Sequence, residues 1–124
     1  MARILIAASL AALALGSTPA LAGDAAAGGA FFKRVCSTCH GNTTNSPPGI
    51  GPRLYGVVGR KAGSLPGYHY SAAMSAAGFA WSQDKLTAYL TNPQGLVKGN
   101  KMPYAGIPKP SDRDNVVAYL ATLR

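Results

Sequence analysis

The chain has 124 residues, a net charge of +8 and only 13% charged side chains, with no glutamate among its four acidic residues. That length bounds it to one small domain, and its Lys and Arg residues are scattered, without a basic run or a nucleic-acid motif, so a genomic target is excluded in favour of other partners. Two cysteines, two histidines and three methionines make up the whole stock of soft metal ligands.

Residues 1–22 read as a secretory signal peptide. Arg3 supplies the positive n-region, Ile4 to Leu15 the apolar stretch, and Ala20-Leu21-Ala22 an A-x-A cleavage site behind Gly16-Ser17-Thr18-Pro19. The apolar stretch is short for a bilayer, which needs about 20 residues. The expectation is export to the periplasm and cleavage, with an uncleaved anchor as the alternative. The domain then spans residues 23–124 and keeps eleven basic side chains against four aspartates, a net charge of +7.

Asp24 is placed to cap a first helix running from Ala25 toward Cys36, with Gly28, Phe32 and Val35 on one face. A glycine inside a helix is tolerated best where another backbone comes close. Cys36-Ser37-Thr38-Cys39-His40 follows, and it holds both cysteines. C-x-x-C-H is the attachment signature of a c-type haem: each thiol adds to one vinyl group and the adjoining imidazole becomes the proximal iron ligand. Two other readings compete. A thioredoxin-like dithiol usually accompanies a βαβ pattern, and a zinc site would need His69 as fourth ligand at a spacing zinc fingers do not use.

Residues 41–51 carry Pro47-Pro48-Gly49 among Asn, Thr and Ser, and read as a loop. Residues 51–60 hold glycines among apolar residues, an irregular backbone suited to lying against a flat macrocycle. A short helix is expected over Ser71 to Ala77, ending at Gly78. Ser82 caps a third helix carrying Leu86, Tyr89 and Leu90 on one face, with Pro93 as its stop. Gln94 to Lys109 is a long connection without a periodic pattern, which in a small domain signals function. Ser111 is expected to cap the last helix, where Val116, Val117, Tyr119, Leu120 and Leu123 follow helical spacing. No segment alternates with period two, so the fold class is all-α.

Met102 is the favoured sixth ligand. It lies in the long connection, and Pro103 holds it out of the α region. Met74 sits in an apolar helical segment and reads as core, whereas His69 lies in a turn and reads as an exposed histidine.

These residues resemble a class I c-type cytochrome, the small mono-haem kind with His/Met ligation. The resemblance covers residues 23–124, and its most specific parts are Cys36 to His40, Gly51-Pro52-Arg53-Leu54 with Gly56 and Gly59-Arg60, and Lys101-Met102-Pro103-Tyr104. It implies the small cytochrome c fold, in which first and last helices cross and haem is wrapped by helices and long loops. Gly28 and Phe32 would cross Val116 and Tyr119. His40 and Met102 would bind iron, and Cys36 and Cys39 would carry the single haem c. The Pro52 carbonyl would accept from His40 Nδ1–H. Arg60, Tyr70, Ser71 and Trp81 would surround the haem propionates, Tyr89 would stand beside Met102, and Leu90 would form an apolar wall. Lys98 and Asn100 depart from the Pro and Thr of many members, which bears on the stiffness of the Met102 loop.

The expected function is a soluble periplasmic one-electron carrier, monomeric and not an enzyme. Two propionates would bring its charge to about +5. Lys33, Lys98 and Lys101 would steer it to redox proteins with acidic docking faces, membrane-bound ones included. The alternative is a haem peroxidase or small-ligand sensor with a labile Met102.

Overall fold

The computed structural model describes Gly16 and residues 23–124. The expected signal peptide otherwise lies outside the described residues. Among the described residues five helices follow one another: α1 Ala25–Phe31, α2 Ala72–Ser75, α3 Gln83–Thr91, α4 Pro93–Leu96 and α5 Pro110–Thr122. Strand pairing there is confined to one isolated antiparallel bridge, Lys61 with Ala80. None of the described helices is long and apolar enough to cross a membrane. The chain has the all-α class expected from its periodicity.

α1 starts where Asp24 accepts from the Ala26 and Ala27 N–H groups. It packs across α5. Gly28 is buried at that crossing, and a Cβ there would overlap the Asn115 carbonyl and stand 2.9 Å from Tyr119 Cβ. Glycine is what lets the two backbones meet. Phe32 fills the space beyond, 2% exposed, with its ring 5.3 Å from that of Tyr119.

α1 runs without a break into a π-type turn over Phe32–Cys36, in which Ser37 N–H donates to the Phe32 carbonyl at 2.9 Å. The wider turn adds a residue and rotates those after it. Val35, expected on the Phe32 face, is 38% exposed and borders the same cavity as Phe32. Cys36, Cys39 and His40 follow, each partly buried and lining that cavity.

Three other boundaries differ from the sequence-based expectation, each for a local reason. Ser71 caps α2 through Met74 N–H at 3.1 Å, but the helix closes at Ser75. Pro93 ends α3 and also begins α4, because its fixed φ suits a first helical position and Asn92 accepts from Gly95 N–H. The long connection is thus shorter than expected. α5 likewise starts at Pro110, with Lys109 as its cap residue, so Ser111 lies inside the helix.

Candidate functional site

The helices and loops enclose a cavity of about 430 Å³, within the range of cofactor sites. All eleven site residues expected from sequence line it: Cys36, Cys39, His40, Pro52, Arg60, Tyr70, Ser71, Trp81, Tyr89, Leu90 and Met102. Most of the remaining wall is apolar, with Leu54, Val57, Leu86, Val116 and Leu120 contributing.

The π-type turn brings Cys36 to the wall, and the Cys39 and His40 N–H groups both donate back to the Cys36 carbonyl, at 3.1 and 2.9 Å. Cys36 and Cys39 form no disulfide with each other. Burial, helped by the neighbouring Cys39, pushes the Cys36 thiol up to about 11. A thiol that attacks disulfides needs the opposite shift, so Cys36 is not tuned for thiol exchange.

His40 Nδ1 donates to the Pro52 carbonyl at 2.7 Å. A carbonyl can only accept, so the proton sits on Nδ1 and Nε2 keeps its lone pair. Burial lowers the pKa of the ring from its ordinary value, the Pro52 bond opposes that, and the positive charge of Arg60 adds to it. The ring is held neutral, the form that binds metal. Gly51 makes room for it: a Cβ there would stand 2.7 Å from His40 Nδ1 and 2.9 Å from Nε2. Two backbone bonds fix this segment to the motif, Gly51 N–H to Cys39 O and Leu54 N–H to Gly41 O, both at 2.8 Å.

A polar arc occupies another part of the wall. The Lys61–Ala80 bridge sets Arg60 beside Trp81, through Trp81 N–H to Arg60 O at 2.8 Å. Arg60 donates to the carbonyls of Arg53 at 2.9 Å and Tyr55 at 3.3 Å, and burial lowers its pKa. None of the four aspartates lines the cavity, so the Arg60 charge meets no carboxylate there. Tyr70 accepts from Leu65 N–H and Ser71 from Met74 N–H, which leaves each hydroxyl proton free to donate. Carboxylates of a bound group would complete this arc.

Phe79, Trp81 and Tyr89 stack edge to face, with ring centroids 4.9 and 5.1 Å apart. Burial, with a smaller contribution from Tyr68, pushes the Tyr89 phenol up to about 12. It stays neutral at physiological pH.

Met102 reaches the cavity from the segment between α4 and α5. The exit of that segment is pinned by Ile107 N–H to Leu90 O at 2.7 Å and by Arg113 Nη1 to Ile107 O, also at 2.7 Å. Met74 is buried in the core as expected, yet it also lines the cavity. His69 is exposed and outside the lining.

Tyr68 also lines the cavity, a position that neither spacing nor resemblance assigned. Its hydroxyl donates to the Ile50 carbonyl at 2.9 Å, and its ring lies 4.8 Å from that of Tyr70. Lys101 Nζ sits 4.7 Å from the centre of the Tyr68 ring and donates to the His69 carbonyl. The i, i+2 spacing of Tyr68 and Tyr70 is the signal that the sequence offers. Of the three lysines expected around the site, Lys101 lines the cavity, whereas Lys33 and Lys98 are exposed elsewhere.

The donor set fits a covalently bound haem: two thiols and a neutral imidazole on one segment, a thioether on another, apolar walls and a cationic arc. Comparison with known proteins agrees. The family model described as cytochrome c matches residues 25–124. Cytochrome c2 of Rhodomicrobium vannielii is 44% identical over 112 residues, 90% of this chain and 89% of that protein. Cytochrome c2 of Rhodopila globiformis is 43% identical over 109 residues, 88% of this chain and all of the relative. Among solved structures, cytochrome cH from Methylobacterium extorquens matches with a TM-score of 0.75 at 42% identity, covering 81% of this chain and 99% of that one.

Proposed function

This chain belongs to the cytochrome c family, of class I, and from that premise we propose that it is an exported one-electron carrier in which His40 and Met102 are the two axial ligands. Covalent haem c comes with the family, and its iron supplies the one-electron couple. Cys36 and Cys39 anchor the ring through their sulfurs. The Pro52 carbonyl holds His40 with Nε2 available to the metal, and Gly51 gives the imidazole room to stay there. Arg60, Tyr70, Ser71 and Trp81 receive the propionates. The apolar walls keep water away, which with a thioether ligand raises the reduction potential. With His40 and Met102 both holding the iron, no position on it would be left for substrate, so these residues would organise transfer rather than turnover.

The observation that carries this reading is the meeting of His40 and Met102 in one cavity, with the outer nitrogen of His40 already committed to Pro52. Export is supported by Arg3, the apolar stretch after it and Ala20-Leu21-Ala22. The net positive charge supports redox partners with acidic docking faces.

Absorption spectra test the ligands. Ferric protein should show a weak near-infrared sulfur-to-iron band that disappears in Met102→Ala and persists in Met74→Ala. Persistence in Met102→Ala would remove Met102 from the iron. Protein taken from the periplasmic fraction should have the mass of residues 23–124 plus one haem, and a mass that retains residues 1–22 would refute cleavage.

A further inference from the structure

Asn100 is, aromatics aside, the one buried polar side chain among the described residues, with 8% of its surface exposed. It lines the cavity two residues ahead of Met102. Both ends of its amide are engaged. Nδ2 donates to the Val97 carbonyl at 2.9 Å, and Oδ1 accepts from Met102 N–H at 2.9 Å.

The backbone around it is held as well. Asn100 N–H donates to Val97 O at 3.1 Å, and Asn100 O accepts from Gln94 Nε2 at 2.9 Å. Gln94 Oε1 in turn accepts from Gly99 N–H at 3.0 Å. Residues 97–102 are therefore clamped by two side-chain amides, one buried and one exposed. A buried amide that loses one partner also leaves its other group harder to satisfy, so the clamp yields as a unit. Lys98 and Gly99 could loosen this turn, since neither is buried and glycine adds backbone freedom. The Asn100 amide offsets both.

We infer that Asn100 is the positioning residue for Met102: by fixing the Met102 backbone N–H it fixes where the thioether sulfur sits, and so how readily an outside ligand displaces it. The inference rests on the His40/Met102 reading above. A shorter side chain at this position can still reach the N–H two residues on through a hydroxyl, but it carries no second arm for Val97.

The test uses the holoprotein in two arms. Amide hydrogen exchange at Met102 reads the hydrogen bond directly, whether or not Met102 binds iron. Imidazole affinity of the ferric protein reads displacement of the sulfur. Asn100→Ala should speed Met102 exchange and tighten imidazole binding about tenfold each, the scale of one to two hydrogen bonds. Asn100→Thr should fall between Asn100→Ala and the parent. Ser82→Ala, which removes the α3 cap far along the chain from Met102, should lower melting temperature without moving either readout.

Unchanged Met102 exchange in Asn100→Ala overturns the inference, as does an equal response from Ser82→Ala. If the alanine variant does not fold, parent-like exchange in Asn100→Thr overturns it instead. Failure of the ligand assignment looks different: Met102→Ala would leave imidazole affinity unchanged, while the exchange arm would still report on Asn100.

Discussion

His40 Nδ1 and the carbonyl oxygen of Pro52 lie 2.7 Å apart, and this one bond decides which nitrogen of the imidazole faces the cavity. The bond depends on the residue before Pro52. A side chain on Gly51 would push into the ring that the bond holds.

Gly51→Ala should therefore reduce the fraction of protein that carries covalent haem and lower the denaturation midpoint of what remains. Forcing an extra methyl into a packed site typically costs about 1–3 kcal/mol. Equal haem content and an equal midpoint would show that the loop relaxes around the methyl.

Gly28→Val should be more damaging, since the colliding partner is the Asn115 carbonyl of the α5 backbone. The helices would have to separate where Phe32 and Tyr119 pack, and a loss of about 3 kcal/mol is expected. Chemical denaturation of the holoprotein measures it, and a change below about 0.5 kcal/mol would contradict the close crossing.

Tyr89 predicts alkaline behaviour. Its phenol is pushed up to about 12 in the fold, mainly by burial, whereas an unfolded tyrosine titrates near 10. The unfolded chain loses its proton first, so stability falls as pH rises from about 10 to about 12. Tyr89→Phe should flatten that part of the ferrous stability profile. A profile as steep in Tyr89→Phe as in the parent would move the effect to another group.

Electron transfer to an acidic partner should slow severalfold between about 0.01 M and 0.5 M salt, because screening shortens the reach of the net positive charge. Lys33→Gln and Lys98→Gln should weaken that dependence, as both lysines are exposed. Lys101 is different, being tied to the His69 carbonyl and stacked on Tyr68. Lys101→Gln should also loosen the cavity mouth, seen as faster hydrogen exchange in the neighbouring backbone. A rate indifferent to salt would end the steering reading.

Short-range chemistry is legible in the amino-acid order alone. Cys36, Cys39 and His40 are consecutive enough that covalent geometry dictates their joint use. Helical periodicity marks α3 and α5, and Asp24 and Ser82 mark two of the starts. Pro93 and Pro110 are less legible, because a proline can stop one helix or open another: Pro93 opens α4 behind the Asn92 cap, and Pro110 opens α5. The cavity wall is partly legible through the resemblance, which supplies positions that spacing does not. Tyr68 escapes because its role lies in a hydroxyl reaching Ile50 and a ring under Lys101, contacts between segments far apart in sequence.

By itself, then, the sequence determined the attachment motif, the all-α class and the two candidate axial ligands, all set by bonds and periodicities within a few residues. Only the tertiary structure decided that the Asn100 side chain accepts from the Met102 N–H and that Met74 serves both core and cavity. The physical reason is reach. A hydrogen bond or a packing contact is settled by where the whole chain closes, and a linear string carries no record of that closure.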